Sequence, residues 1–122
     1  MPRLDHISLP VKDWRKSRDW WRDVLGFEVE FELDGPGVAA MQDEADLTVF
    51  LGQADAVTIP PGLALTIQVS DVEIRYAALK AAGVAFTHPP QKVFWGYGAE
   101  LVDPDGYVLR LWDEESMKAK GG

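Results

Sequence analysis

Few residues in this chain could do chemistry, and they fall on stretches whose side chains alternate. His6 lies in Leu4 to Val11, on the face it shares with Ser8, while Ile7, Leu9 and Val11 take the other face. An imidazole changes charge near neutrality, so His6 is the candidate catalytic base or a hydrogen-bond partner for a ligand. The competing reading is a hydrogen-bonded structural histidine, and no Asp or Glu is expected in a position to orient it. Near the other end, Asp103-Pro104-Asp105-Gly106 is turn chemistry, and Val108, Arg110 and Trp112 then share one face of a strand against Leu109 and Leu111. A guanidinium stays charged, so on a half-apolar face Arg110 must find an anion. That anion is either a carboxylate of the protein or the carboxylate, phenolate or carbonyl of a ligand, and both readings stay open.

Aromatic residues near that arginine extend the candidate site. Trp95 and Tyr97 belong to Phe94-Trp95-Gly96-Tyr97-Gly98, where glycines allow close approach, and Trp112 shares the face of Arg110. Flat walls beside a cation suit a planar ligand, although core or interface packing fits each tryptophan equally well. The same parity puts Thr48 and Phe50 inward on one strand and Ala64, Thr66 and Gln68 on another. Ser8, Phe50, Thr66, Gln68, Trp95, Tyr97, Arg110 and Trp112 are therefore the expected ligand contacts.

The elements that must hold these residues follow from pattern and punctuation. After the first strand, Asp13 can cap a helix carrying Trp14, Ser17, Trp20, Trp21, Val24 and Leu25 at helical spacing, with Gly26 as its stop. Trp20 and Trp21 read as packing. Phe27 to Leu33 alternates apolar residues with Glu28, Glu30 and Glu32, which predicts a strand with one wet face. Asp34 to Gly37 is a turn, and strands are expected over Val38 to Gln42 and Leu47 to Leu51. Ala54 to Gly62, with Pro60-Pro61-Gly62, reads as a linker. Leu63 to Val69 is then a strand, Ser70 and Glu73 a capping box for a helix stopped at Gly83, Val84 to Thr87 strand-like, and His88-Pro89-Pro90 a break that leaves His88 in a surface loop. Trp95 to Val102 leads into the last hairpin, and the acidic run Asp113-Glu114-Glu115 and the stretch Lys118 to Gly122 look like solvated ends.

A repeat emerges. Asp13 matches Asp71 at an offset of 58 (71 − 13), Gly26 matches Gly83 at 57 (83 − 26), and Gln53 matches Asp113 at 60 (113 − 53). The predicted fold is α+β, two tandem βαβββ modules over about 1–53 and 63–115, within one domain of 122 residues and followed by a tail at 116–122.

Composition bounds the function. Of 122 residues, 12 are Lys or Arg and 20 are Asp or Glu, a formal charge of −8 that disfavours nucleic acid or an anionic membrane as partner. No apolar run is long enough to span a membrane and the N-terminus has no long apolar core, so a cytoplasmic location is expected. There is no cysteine, hence no disulfide or thiolate chemistry. Phosphate loops, nucleophile elbows and paired-histidine zinc helices are absent.

Several segments resemble the vicinal oxygen chelate superfamily of glyoxalases, bleomycin-binding proteins, fosfomycin-resistance enzymes and extradiol dioxygenases. They are Leu4 to Asp13, Trp20-Trp21-Arg22-Asp23-Val24-Leu25-Gly26-Phe27, Trp95-Gly96 and Asp103-Pro104-Asp105-Gly106-Tyr107. The resemblance implies half-barrel sheets around a concave cavity, helices on the outer face, and a homodimer. It also implies metal ligands at positions 6, 50, 64 and 110, where this chain has His6, Phe50, Ala64 and Arg110. Only the first can coordinate. The expectation is therefore a binder of a planar or anionic small molecule, with no metal or other cofactor. The alternative is a metal-dependent lyase, epimerase or dioxygenase whose rearranged site includes His6, for which Gln68 and Glu100 are conceivable partners.

Overall fold

The computed structural model describes all residues from Met1 to Gly122. The chain forms two compact units, Met1–Thr58 and Ile59–Gly122, whose boundary falls within the stretch read as a linker.

In the first unit, β1 (His6–Val11) is followed by α1 (Trp14–Asp23), β2 (Glu28–Leu33), β3 (Val38–Gln42) and β4 (Thr48–Gln53). The sheet order is β1-β4-β3-β2, with β1 parallel to β4 and the other pairs antiparallel. A parallel neighbour needs a crossover, and β4 is reached only after the chain has passed through α1, β2 and β3. Asp13 caps α1 by accepting the Lys16 N–H at 3.1 Å, and Gly26 ends the turn beyond it at φ 79°. Trp14, Ser17 and Trp21 are buried under the helix against Leu9, Val11, Ala39, Met41, Val49 and Leu51. Trp21 meets Phe27 edge-on at 5.3 Å.

β2 departs from its expected alternation. A bulge between Val29 and Phe31 shifts the register, so Val29 pairs with Met41 but Phe31 with Ala40 and Leu33 with Val38. One extra residue flips every side chain beyond it. Phe31 and Leu33 consequently emerge on the open face, 39% and 50% exposed. No glycine or proline in the sequence marks the bulge.

The second unit repeats the plan with β5 (Ala64–Gln68), α2 (Val72–Ala81), β6 (His88–Val93), β7 (Gly96–Val102) and β8 (Val108–Trp112), in sheet order β5-β8-β7-β6. Each unit is thus a four-stranded mixed sheet in the form of an open half-barrel, and the α+β expectation holds. Ala99, Leu101, Leu109 and Leu111 are buried on the helix-covered face, beside Val72 and Leu79 of α2.

Three local expectations are corrected here. Asp71, not Ser70, caps α2, accepting the Ile74 N–H at 3.0 Å, because the aspartate stands at the residue just before the helix. The strand lies at His88–Val93 rather than Val84–Thr87, and His88 belongs to it; the edge strand β6 tolerates Pro89 and Pro90 because both fall in the irregularity between His88 and Gln91, where neither pairs with β7. The tail is not simply solvated. Residues Glu114–Lys120 form α3, packed on β7, and Met117 sits where any side chain at Gly96 would stand.

Asp113 joins these parts. Its buried carboxylate accepts the first N–H of α2, from Val72, at 2.7 Å, and caps α3 through the Ser116 N–H and hydroxyl at 2.6 and 3.0 Å. Burial alone would raise its pKa, but the bonds from Val72 and Ser116, with the charge of Lys120, hold it below the ordinary carboxylate value.

Candidate functional site

The open face of the second sheet is built by register. Thr66 lies beside Arg110, and Arg110 beside Glu100; Gln68 lies beside Trp112 in the next row. Thr66 and Gln68 are exposed, while Arg110 and Trp112 are half-buried. Glu100 therefore answers which protein carboxylate meets the arginine: its Oε1 is 3.5 Å from Arg110 Nε. That is within ion-pair reach but too long and too poorly aimed for a hydrogen bond, and the buried Nε has no hydrogen-bond partner. The sequence pattern left Glu100 unplaced because its strand parity is ambiguous next to a turn.

Aromatic rings close over the same cation. β6 and β7 are joined by a two-residue hairpin, Phe94-Trp95, and Arg110 Cζ lies 5.2 Å from the Phe94 ring centre and 5.5 Å from that of Trp95. Both distances fall in the cation–π range. Trp95 can lie down on the sheet because residue 98 is glycine; a Cβ there would stand 2.4 Å from the indole and 2.3 Å from the Leu111 carbonyl oxygen. Trp95, Arg110, Trp112, Thr66 and Gln68 are thus brought to one face. Phe94, which is 91% exposed, is a neighbour that sequence reasoning did not single out.

Tyr97 is not on that face, and its expected role as a ligand contact is corrected. Residues alternate along β7, so Tyr97 points to the helix side, buried, with its hydroxyl donating to Glu73 at 2.5 Å and Lys120 Nζ 5.1 Å from its ring. The hydrogen bond to Glu73, reinforced by burial and nearby carboxylates, pushes the Tyr97 phenol up to about 12.

On the first sheet, His6, Ser8 and Phe50 do share the open face. Ser8 is level with Phe50, and the His6 imidazole stacks on the Phe50 ring at 4.2 Å and 14°. Phe31 meets Phe50 edge-on at 5.7 Å, an arrangement that the bulge in β2 makes possible. Contrary to expectation, a carboxylate does orient His6: Asp5 Oδ2 is 3.0 Å from its Nδ1. Thr48, buried beside this cluster, donates its hydroxyl to Glu30 Oε2 at 3.0 Å.

Donor chemistry decides whether either face suits a divalent metal in the family manner. The first unit offers His6 beside Phe50, and the second offers Ala64 and Arg110. One neutral nitrogen is too few, and no three His, Asp or Glu side chains converge anywhere in the chain. These residues do not fit such an ion.

Comparison with known proteins settles the family. A family model described as the glyoxalase/bleomycin resistance protein/dioxygenase superfamily matches residues 3–111. The chain belongs to this superfamily. Among known proteins, an uncharacterized protein of Bacillus subtilis, YetH, is 23% identical over 115 residues, 89% of this chain and 96% of that one. Among solved structures, an antibiotic binding protein from Streptomyces sp. CB03234 is 30% identical, with 93% and 96% of the two chains covered and a TM-score of 0.73. A genomically encoded fosfomycin resistance protein from Listeria monocytogenes shares the fold, with a TM-score of 0.77 at 19% identity over 93% of this chain and 94% of that one.

Proposed function

We propose that this member of the glyoxalase superfamily binds a flat small molecule carrying a carboxylate, phenolate or carbonyl group, without a metal, and works as a homodimer. One observation carries the reading: Arg110 lies within cation–π range of both Phe94 and Trp95, and its ion pair with Glu100 at 3.5 Å leaves the buried Nε without a hydrogen bond. The Nε is enclosed while the side chain is 22% exposed, so an anionic or carbonyl oxygen would be met by the terminal guanidinium nitrogens, and a hydrogen bond to a charged group contributes about 1.5–3 kcal/mol. The aromatic rings supply flat contact area, and Thr66, Gln68 and Trp112 frame the same face. The 30% identical antibiotic binding protein supports a binding role, and the donor-poor corners support the absence of a metal.

Calorimetry with 2-naphthoate and its neutral amide tests the anchor. The carboxylate should bind saturably, and Arg110→Gln should weaken it about tenfold or more, the loss of one charge-assisted hydrogen bond. Equal binding by the wild type and the variant would sink the reading. Metal analysis of protein purified without chelator tests the rest, since a near-stoichiometric divalent ion held through His6 contradicts it. Sedimentation velocity tests the dimer.

A second reading rests on the His6–Asp5 pair at 3.0 Å. A carboxylate on one ring nitrogen fixes the other as an acceptor, so His6 could act as a metal-free general base. Turnover of a glutathione hemithioacetal in the presence of chelator, lost in His6→Ala, would carry that reading; no turnover by the wild type would end it.

A further inference from the structure

We infer that the open face of the first unit binds a flat, positively charged molecule. This extends the ligand-binding reading to a second face but does not depend on its arginine anchor. The face holds a concavity of about 340 Å³ whose aromatic wall is formed by Phe31 and Phe50. Phe50 is covered on one side by the His6 ring, and its remaining surface forms the accessible platform together with the half-exposed Phe31 ring. Phenylalanine faces carry partial negative charge, so a cation lying on such a platform is attracted by the ring quadrupole as well as by apolar contact.

The rim carries the matching charge. Asp5, Glu30 and Asp46 line the concavity with a single opposing cation, Arg3. Glu30 is held in place by the buried Thr48 hydroxyl at 3.0 Å, which occupies one carboxylate oxygen and leaves the other for a ligand. Asp46 is fixed by its backbone, at φ 66°, in the turn that precedes β4. Phe31 reaches this wall only through the β2 bulge; without the register shift, its position would fall on the helix-covered face with Val29. Aromatic platform and carboxylate rim together specify an aromatic ammonium, amidinium or N-alkyl heterocycle.

The experiment uses two probes of one shape: N-methylacridinium, permanently charged, and acridine, uncharged in mildly alkaline buffer. Fluorescence anisotropy with the full chain should show the cation binding about tenfold more tightly than its neutral counterpart, and more weakly as salt rises. Glu30→Gln keeps an oxygen for Thr48 and removes the charge, so it should weaken N-methylacridinium about tenfold; Phe31→Leu keeps an apolar wall without the quadrupole and should act in the same direction. Arg110→Gln should leave N-methylacridinium unchanged while abolishing the preference for 2-naphthoate over its amide. Equal binding of the two acridines, no saturable binding of the cation, or indifference to both Glu30→Gln and Phe31→Leu overturns the inference. The naphthoate result stands or falls on its own, so failure at one face is distinguishable from failure at the other.

Discussion

In the first unit, the N–H that opens α1, on Trp14, donates to the amide oxygen of Gln53 at 3.0 Å; in the second, the N–H that opens α2, on Val72, donates to the carboxylate of Asp113 at 2.7 Å. Gln53 and Asp113 occupy equivalent places in the repeat, so one structural task is done by a neutral group in one half and by a charged group in the other. The substitution lets the second unit add a helix. The amide of Gln53 spends its nitrogen on the Lys12 carbonyl, whereas the second oxygen of Asp113 is free to cap α3. The open faces diverge in the same way. Where Ser8 and Phe50 meet Ala40 and Phe31, the second unit has Thr66 and Arg110 meeting Glu100. An apolar, acid-rimmed surface and a cation-bearing surface have been built on the same strand plan, which shows how little of the fold depends on open-face chemistry.

That divergence can be broken experimentally. The largest effect belongs to the helix-covered side, where Trp21 is 1% exposed under α1. Trp21→Ala should cost about 3–5 kcal/mol, with amide hydrogen exchange rising across the first unit; protection kept at Val49 and Leu51 would show that the core does not depend on this ring. Asp113→Ala should cost about 2–3 kcal/mol by denaturant titration, because two helix starts lose their acceptor inside a buried site, whereas Gln53→Ala should cost only about 1 kcal/mol.

The acid response sharpens the contrast. A carboxyl held low in the folded chain stabilises it fully above the ordinary value of 3.8 and loses that contribution as pH falls through the lower folded value. Protection around α2 and α3 should therefore decline below that range in the wild type, and Asp113→Asn should flatten the decline. At the alkaline end the sign reverses. Tyr97, held at about 12, contributes stability that is complete below its ordinary value of 10.0 and lost between those values. All three tyrosines lie in the second unit, so the rise in phenolate absorbance reports on that unit alone, and Tyr97→Phe should remove its latest component. The smallest effect is expected for His6→Ala: loss of one stacked ring and an exposed pairing with Asp5 should change thermal stability by about 0.5–1 kcal/mol or less, measured by calorimetry.

Most of the framework was legible in the sequence because it is written in local signals. Asp13, Gly26, Gly83 and the Asp-Pro-Asp-Gly turn mark boundaries through backbone preference, and the parity of β1, β5 and β8 correctly grouped His6 with Ser8 and Arg110 with Trp112. What escaped depends on partners distant in sequence. Phe31 was assigned to the wrong face because a bulge in β2 leaves no compositional trace. Glu100 was unplaced and Tyr97 misplaced because the register of β7 is fixed by the two-residue hairpin at Phe94-Trp95, not by its own pattern. The tail read as solvated because Glu114 to Lys120 is mostly polar, and its anchor, Met117 against Gly96, is a tertiary contact. Asp5 went unweighed as a partner for His6, since adjacent residues on a strand ordinarily point to opposite faces; it precedes β1, where that rule does not apply.

The prolines of β6 have a consequence for the protein at high concentration. An outer strand ordinarily offers a row of N–H and C=O groups onto which a stray chain can build another strand. Successive N–H groups on a strand point to opposite sides, so Pro89 and Pro90 together take one donor from the outward row, and the His88 imidazole occupies the Pro89 carbonyl at 2.8 Å. Along this margin the second sheet is blunted against the seeding of fibrils.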